Sequence, residues 1–412
     1  MTRLKTLLAA AFALLLLWIP QALAEQAEEI TRLCTYNQLK GEHCHLTDNS
    51  YATALQIPLD HNRRLLTVTA PEGKTIGGVQ IRWDETPLAL TFEAQDESGE
   101  WQVVAQSTDA FYCTWVELPG VTAFRCYPTD QPRAKMSISE MTVLTPGEVP
   151  DTIQRWEEPG DKVDLMLLSG HPDDEVLWFG GLIAYYSDQG KRVLVICSSQ
   201  NRNLRRLELL DCLWVMGCRV HPVFANYFDF YTNDMQKVLH SWRQSKVLER
   251  YTGYIRRYRP DVLVLQDVNG EYGHGIHRTV SWAGRETSVL AADPEQYPEQ
   301  VAQYGTWQVK KVYIHLYGDD PTVMDWSVPL ESLGGISAQD AARAGFAMHV
   351  SQQNRGYAVL DGGQYDNTLF GLYASTVGED VAKNDLFEHI DDAGEAITEP
   401  ATATDLAEEA AE

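Results

Sequence analysis

The stretch Val163-Asp164-Leu165-Met166-Leu167-Leu168-Ser169-Gly170-His171-Pro172-Asp173-Asp174-Glu175 decides the fold. Its first seven residues form a short apolar run of the kind that makes a strand buried on both faces of a parallel sheet. In open α/β sheets the chemistry gathers at the carboxyl ends of the strands, and Gly170 to Glu175 is such an end. His171 and Asp174, three residues apart, can both turn toward one metal ion, which leaves Asp173 free to move a proton. Pro-Asp-Asp after a strand is also ordinary turn and helix-capping chemistry. A second motif decides between the two readings. Gly270-Glu271-Tyr272-Gly273-His274-Gly275-Ile276-His277 follows another apolar run, Asp261 to Gln266, and its His-x-x-His pair brings what a three-ligand site still lacks.

Elements alternate outward from these motifs. Helices are expected over 177–187, 204–216, 238–258, 277–291 and 337–349, the last capped by Ser337. Strands are expected over 192–197, 220–225, 261–266 and 309–316. Gly180 and Gly181 permit close packing of the first helix. Such alternation implies a parallel, Rossmann-like sheet with helices on both faces. Upstream lie short alternating runs at 65–69, 78–83, 88–94, 101–104, 116–118 and 137–143, broken by turn residues. They indicate an all-β sandwich.

The upstream stretch resembles the discoidin-like, galactose-binding jelly-roll modules in Ile76-Gly77-Gly78-Val79-Gln80-Ile81-Arg82-Trp83 and in the hairpin from Asp96 to Trp101. That resemblance implies carbohydrate binding by loops at one end. Trp83, Trp101 and Trp115 can stack on sugars or fill the core. The expected organisation is therefore a signal peptide at 1–24, a sandwich at 25–147, a linker at 148–162, an α/β domain at 163–390 and an acidic tail at 391–412.

Three motifs of the α/β part together resemble the PIG-L/LmbE family of zinc-dependent N-deacetylases. They are His171-Pro172-Asp173-Asp174-Glu175, Arg205-x-x-Glu208-Leu209 followed by Gly217, and Gly273-His274-x-x-His277. The family's third signature is commonly Gly-His-Pro-Asp-His. Here Gly275 and Ile276 replace the Pro and the Asp, so a local carboxylate is missing. The resemblance implies that His171, Asp174 and His277 ligate Zn²⁺, that Asp173 is the general base, and that a protonated His274 assists at the reacting carbonyl. Zinc chemistry agrees: a catalytic ion takes three N/O ligands and acidifies water at its open position. Arg205 and Tyr272 are candidate substrate contacts. Arg205 and Glu208 can equally pair with each other along one helix. Glu175 can orient His171 or simply favour a helix start. The segments 351–355 and 363–366 can close over substrate or pack as a C-terminal element.

The formal net charge of −25 argues against nucleic acid and anionic lipid as partners. No Lys or Arg follows Lys383, and the acid- and Ala-rich end reads as disordered. Arg3 and Lys5 precede an apolar run from Leu7 to Ile19, and Ala22-Leu23-Ala24 supplies a small-x-small cleavage site. This is a secretory signal, so an extracytoplasmic protein is expected, and disulfides become permissible. The expected bridges are Cys34–Cys44 and Cys113–Cys126. Cys197 reads as a buried free thiol, and a Cys212–Cys218 bridge is open. The function expected from all this is exported deacetylation of an N-acetylglucosamine-type group on a glycan or glycoconjugate. A carbohydrate-binding surface protein with an idle α/β domain is the alternative.

Overall fold

The computed structural model describes residues 25–36, 43–57, 66–130, 135–200 and 202–390. The expected signal peptide and acidic tail lie outside the described residues. Nine strands come first: β1 (Thr35–Tyr36), β2 (Leu55–Ile57), β3 (Leu66–Thr69), β4 (Ile76–Trp83), β5 (Leu90–Gln95), β6 (Trp101–Gln106), β7 (Cys113–Val121), β8 (Ala123–Pro128) and β9 (Met136–Leu144). They form two antiparallel sheets, ordered β1-β3-β8-β5-β6 and β2-β9-β4-β7. Alternate residues from both, among them Val68, Phe92 and Phe124 on one side and Val79, Ile81 and Ile138 on the other, close one shared core. Trp83 belongs to that core, where its indole N–H donates to Thr114 Oγ1 at 3.1 Å. Trp101 is half-buried beneath the Arg125 guanidinium.

The disulfide expectation fails at Cys113 and Cys126. Both are buried free thiols. Cys113 pairs with Arg82 across β4 and β7, whereas Cys126 pairs with Leu66 and Phe92 in the opposite sheet. The chain changes sheets between them, at Val121 to Ala123. Cys34, Cys197, Cys212 and Cys218 are also buried and free, and the Cys44 side chain lies outside the described residues.

The α/β part contains β10 (Leu165–Ser169), α1 (Asp174–Asp188), β11 (Val193–Gln200), α2 (Asn203–Val215), β12 (Val223–Phe228), α3 (Met235–Trp242), α4 (Gln244–Tyr258), β13 (Val262–Leu265), α5 (Gly275–Leu290), α6 (Pro298–Tyr304), β14 (Lys311–His315), β15 (Thr322–Val323), α7 (Ala338–Ala347) and β16 (Leu369–Ser375). The sheet order is β12-β11-β10-β13-β14-β16-β15. The first five strands run parallel, as expected. The last two do not. β16 returns antiparallel to β14 and carries β15, so the sheet is mixed rather than parallel. Every residue of β10, β13 and β14 is buried, which requires cover on both faces. α7 packs against both α1 and α2, and α3, α4 and α5 form a second group. A Cβ on Gly180 would meet Ala342 at 2.7 Å, and one on Gly181 would meet Trp326 at 2.5 Å, so both glycines serve close packing. The single helix expected over 238–258 is two helices, because Arg243 adopts a left-handed φ of 63° between them.

The segment between the two parts is anchored by Ile153, Gln154 and Trp156, which are buried. Glu157 bridges to Val220, and Trp156 sits edge-on against Trp214. The seam between the sandwich and α2 is polar and specific. Asp211 accepts from Tyr51 Oη at 2.6 Å, from Arg82 Nη2 at 3.3 Å and from Gln154 Nε2 at 2.5 Å. Nearby, the Tyr112 backbone N–H donates to His221 Nε2 at 3.2 Å, and Arg206 stacks on the Tyr112 ring.

Candidate metal centre and its surroundings

β10 and β13 are hydrogen-bonded neighbours in register, Leu165 with Val262 and Leu167 with Val264. The loops that leave their carboxyl ends therefore emerge side by side. This brings the two sequence motifs together across about a hundred residues of chain. His171 Nδ1 lies 3.0 Å from Asp174 Oδ2, His277 Nε2 lies 3.1 Å from the same oxygen, and the two nitrogens are 3.2 Å apart. All three side chains are buried. Three lone-pair atoms that face one another this closely repel unless a proton or a cation lies between them. Tetrahedral zinc with ligands near 2.0–2.1 Å separates its donors by about 3.3 Å, so the triangle fits that ion. A Cβ on Gly170 would meet Asp174 Oδ2 at 2.9 Å and His277 Cδ2 at 3.0 Å, so a side chain there would push the triangle apart.

Each imidazole is aimed by a carboxylate behind it. His171 Nε2 faces Asp229 Oδ1 at 3.4 Å. His277 Nδ1 donates to Glu271 Oε2 at 2.9 Å, which turns Nε2 toward the triangle. The other oxygen of Glu271 accepts from His315 Nδ1 at 2.8 Å, and His315 Nε2 reaches the Asp366 carbonyl at 3.0 Å. Glu271 is fully buried. Burial alone would raise its carboxyl, but the hydrogen bonds from His277 and His315 outweigh that and hold it down at about 2. His277 thus has its supporting carboxylate six residues upstream, in Glu271. The Asp174 carboxyl is likewise held far down by His277 and His171 against burial.

Asp173 occupies a strained backbone position, with φ at 132° and ψ at −28°. Its backbone N–H donates to Glu175 Oε2 at 2.8 Å, and Glu175 Oε1 is held by His349 Nε2 at 2.6 Å. Glu175 therefore orients Asp173 rather than His171. The Asp173 carboxylate pairs with Arg205 Nη2 at 2.8 Å, and Arg205 also donates to the Pro172 carbonyl. Burial raises the Asp173 carboxyl to about 6, against the pull of Arg205. Arg205, expected to meet substrate, is buried and committed to Asp173. Glu208 does not pair with it. Glu208 instead accepts from the Ser351 N–H at 2.8 Å and from Ser351 Oγ at 2.6 Å, which pins the C-terminal segment onto α2.

His274 stands beside the triangle, its ring centroid 4.7 Å from that of His171 and 4.8 Å from that of His277. Burial, aided by those two imidazoles, pushes it down to about 3. Its Nδ1 accepts from the Ile276 N–H at 3.2 Å, so the ring proton sits on Nε2. His274 is therefore a neutral donor rather than the imidazolium expected from the sequence. Tyr272 is half-exposed and packs on Trp178, Tyr357 and Tyr365, with its backbone N–H donating to Tyr365 Oη at 3.2 Å.

Sequence reasoning missed Asp229, Glu271, His315 and His349. Glu271 stood inside the quoted motif, and His315 ended an expected strand, but neither spacing marks a supporting role. Only the sheet order brings Asp229, at the end of β12, onto His171.

Residues 166–288 match the family described as PIG-L, GlcNAc-PI de-N-acetylase. The 1D-myo-inositol 2-acetamido-2-deoxy-alpha-D-glucopyranoside deacetylase 1 of Catenulispora acidiphila is 28% identical over 178 residues, which cover 36% of this chain and 54% of that protein. A probable N-acetylglucosaminyl-phosphatidylinositol de-N-acetylase of Dictyostelium discoideum is 25% identical over 125 residues, covering 29% and 47%. N,N'-diacetylchitobiose deacetylase from Pyrococcus horikoshii aligns with 47% of this chain and 71% of that one, at 19% identity and a TM-score of 0.36. The chain spans about half the length of these two curated relatives. Residues 166–288 thus carry a PIG-L family domain whose curated relatives are deacetylases.

Proposed function

We propose that this protein is an exported, zinc-dependent amidohydrolase that removes the acetyl group from an N-acetylglucosamine-type unit of a glycan or glycoconjugate. The observation that carries this reading is the buried triangle of His171 Nδ1, Asp174 Oδ2 and His277 Nε2, with Asp173 and His274 at its edge. Those three atoms would hold the ion. When bound, zinc polarises an amide carbonyl and lowers the pKa of water. Asp173 accepts the proton of the water that attacks the carbonyl carbon, and returns it to the amide nitrogen as the C–N bond breaks. Arg205 and the strained backbone hold that carboxylate in one orientation. His274 donates its Nε2–H to the carbonyl oxygen as negative charge builds there. A neutral donor suits the task, because a second cation beside three metal ligands would be repelled. Tyr272 lines the entrance. The products are acetate and a free amino sugar.

Export rests on the segment from Arg3 to Ala24. We also propose that the N-terminal sandwich is of the discoidin jelly-roll type and holds the enzyme near its carbohydrate. The test is acetate release from a panel of N-acetylated saccharides, cell-wall fragments and glycolipids, with metal-free and zinc-loaded protein. Turnover confined to the zinc-loaded protein is expected. Binding without release of acetate from any member would favour the idle-domain alternative.

A further inference from the structure

Exposed aromatic rings flank the centre on two sides. In the sheet order, β12 lies to one side of β10 and β13 to the other. The turn after β12, Phe228-Asp229-Phe230-Tyr231, brings Asp229 to His171 and leaves Phe228 70% and Tyr231 78% exposed. The Tyr231 ring meets the His274 ring edge-on at 5.2 Å. Phe228 and Phe230 then line a shallow hollow of 640 Å³ with Gln236, Lys237, His240 and Ser241. From the other side come Tyr272, 43% exposed, and Tyr357, 37% exposed, their rings 5.7 Å apart. Tyr272 lies two residues before His274 and packs on Trp178 of α1, with 5.4 Å between ring centroids. Large aromatic rings left bare at the surface cost solvation and mark binding surfaces. A tyrosine ring offers an apolar face and a hydroxyl, which matches the alternating CH faces and hydroxyls of a pyranose. One terminal sugar needs one such wall. Two walls, with the reacting group between them, suit a chain that continues past the reacting unit in both directions. A net charge of −25 disfavours an anionic lipid surface as the occupant.

We propose that the acceptor is an extended oligosaccharide of N-acetylated hexosamine units, gripped by Tyr231 on one side and by Tyr272 and Tyr357 on the other, so that an internal unit is deacetylated. This rests on the deacetylase reading and goes further by fixing the substrate class.

The test uses zinc-loaded full chain and N-acetylglucosamine oligomers of one to six units. Acetate release gives kcat/KM, and fragmentation mass spectrometry locates the first free amine. The expected result is a kcat/KM that rises about tenfold or more from one unit to four, with the first free amine on an internal unit. Tyr231→Ala and Tyr357→Ala are each expected to lower the tetramer-to-monomer ratio about three- to tenfold, as loss of one ring stack should, and Tyr231→Phe to restore it. Equal kcat/KM at every length, or release only from a terminal unit, overturns the proposal while the deacetylase reading stands. So does preferential turnover of a glycolipid. Acetate from no saccharide at all defeats the deacetylase reading, and the proposal with it.

Discussion

Replacing Glu271 by Gln tests the support behind the centre without touching a donor of the triangle. The carboxylate accepts four hydrogen bonds. Oε2 takes His277 Nδ1 at 2.9 Å and Gln266 Nε2 at 3.2 Å, and Oε1 takes His315 Nδ1 at 2.8 Å and the Asp267 N–H at 3.2 Å. A Gln offers one oxygen and one NH₂. Whichever way the amide turns, one imidazole then faces a donor where it had an acceptor. If that is His277, its proton moves to Nε2 and the nitrogen in the triangle can no longer bind metal. If it is His315, the charge behind His277 is still lost. Such supporting carboxylates set metal affinity by about 10- to 100-fold, or about 1.4–2.7 kcal/mol. The assay is zinc competition against a chromogenic chelator, with circular dichroism to confirm the fold. Zinc affinity unchanged within twofold in Glu271→Gln, with the fold intact, would refute the assignment of His277 as a ligand aimed by Glu271.

Asp173→Asn is expected to retain zinc and to lose acetate release by about 100- to 10,000-fold, measured at saturating substrate; wild-type turnover would place the base elsewhere. Gly170→Ala is expected to cost about 1–3 kcal/mol in thermal unfolding and to empty the metal site, because its Cβ meets Asp174 and His277; full zinc occupancy by elemental analysis would contradict the close approach. His221 is buried and pushed down to about 3 from 6.5, so the unfolded chain takes up its proton first. Stability from this group is full above pH 6.5 and is lost as pH falls toward 3, on the order of a few kcal/mol. His221→Gln should flatten that part of the denaturation profile, and an unchanged profile counts against the seam. Removing residues 25–150 takes Tyr51 and Arg82 from Asp211 and Tyr112 from His221 and Arg206, so the remaining α/β part should melt several degrees lower by calorimetry than the whole chain; an unchanged Tm would show the seam to be inert.

The centre was legible where chemistry follows a strand end. His171, Asp174 and His277 sit just past apolar runs, and parallel β10 and β13 must deliver them to one edge. The partners were not legible, because they depend on which strands are neighbours. Asp229 leaves a strand two places away, and His349 arrives just past α7, which packs against α1. The state of His274 was misread for a related reason: its protonation is decided by the His171 and His277 rings and by the Ile276 N–H, which only the folded loop brings close. In the sandwich, alternation located most strands but not the sheet each one joins, and the Cys113–Cys126 expectation failed on that point. Beyond β14, Leu369–Ser375 carries no motif, so the antiparallel return went unread.

The most direct measurement is the rate of acetate release from an N-acetylglucosamine oligomer as zinc is titrated into metal-free protein. The expected rate is near zero without zinc and rises linearly to a plateau at about one equivalent per chain, as a single three-ligand centre requires. A rate that is the same with and without zinc, or no acetate with one equivalent bound, would contradict the account.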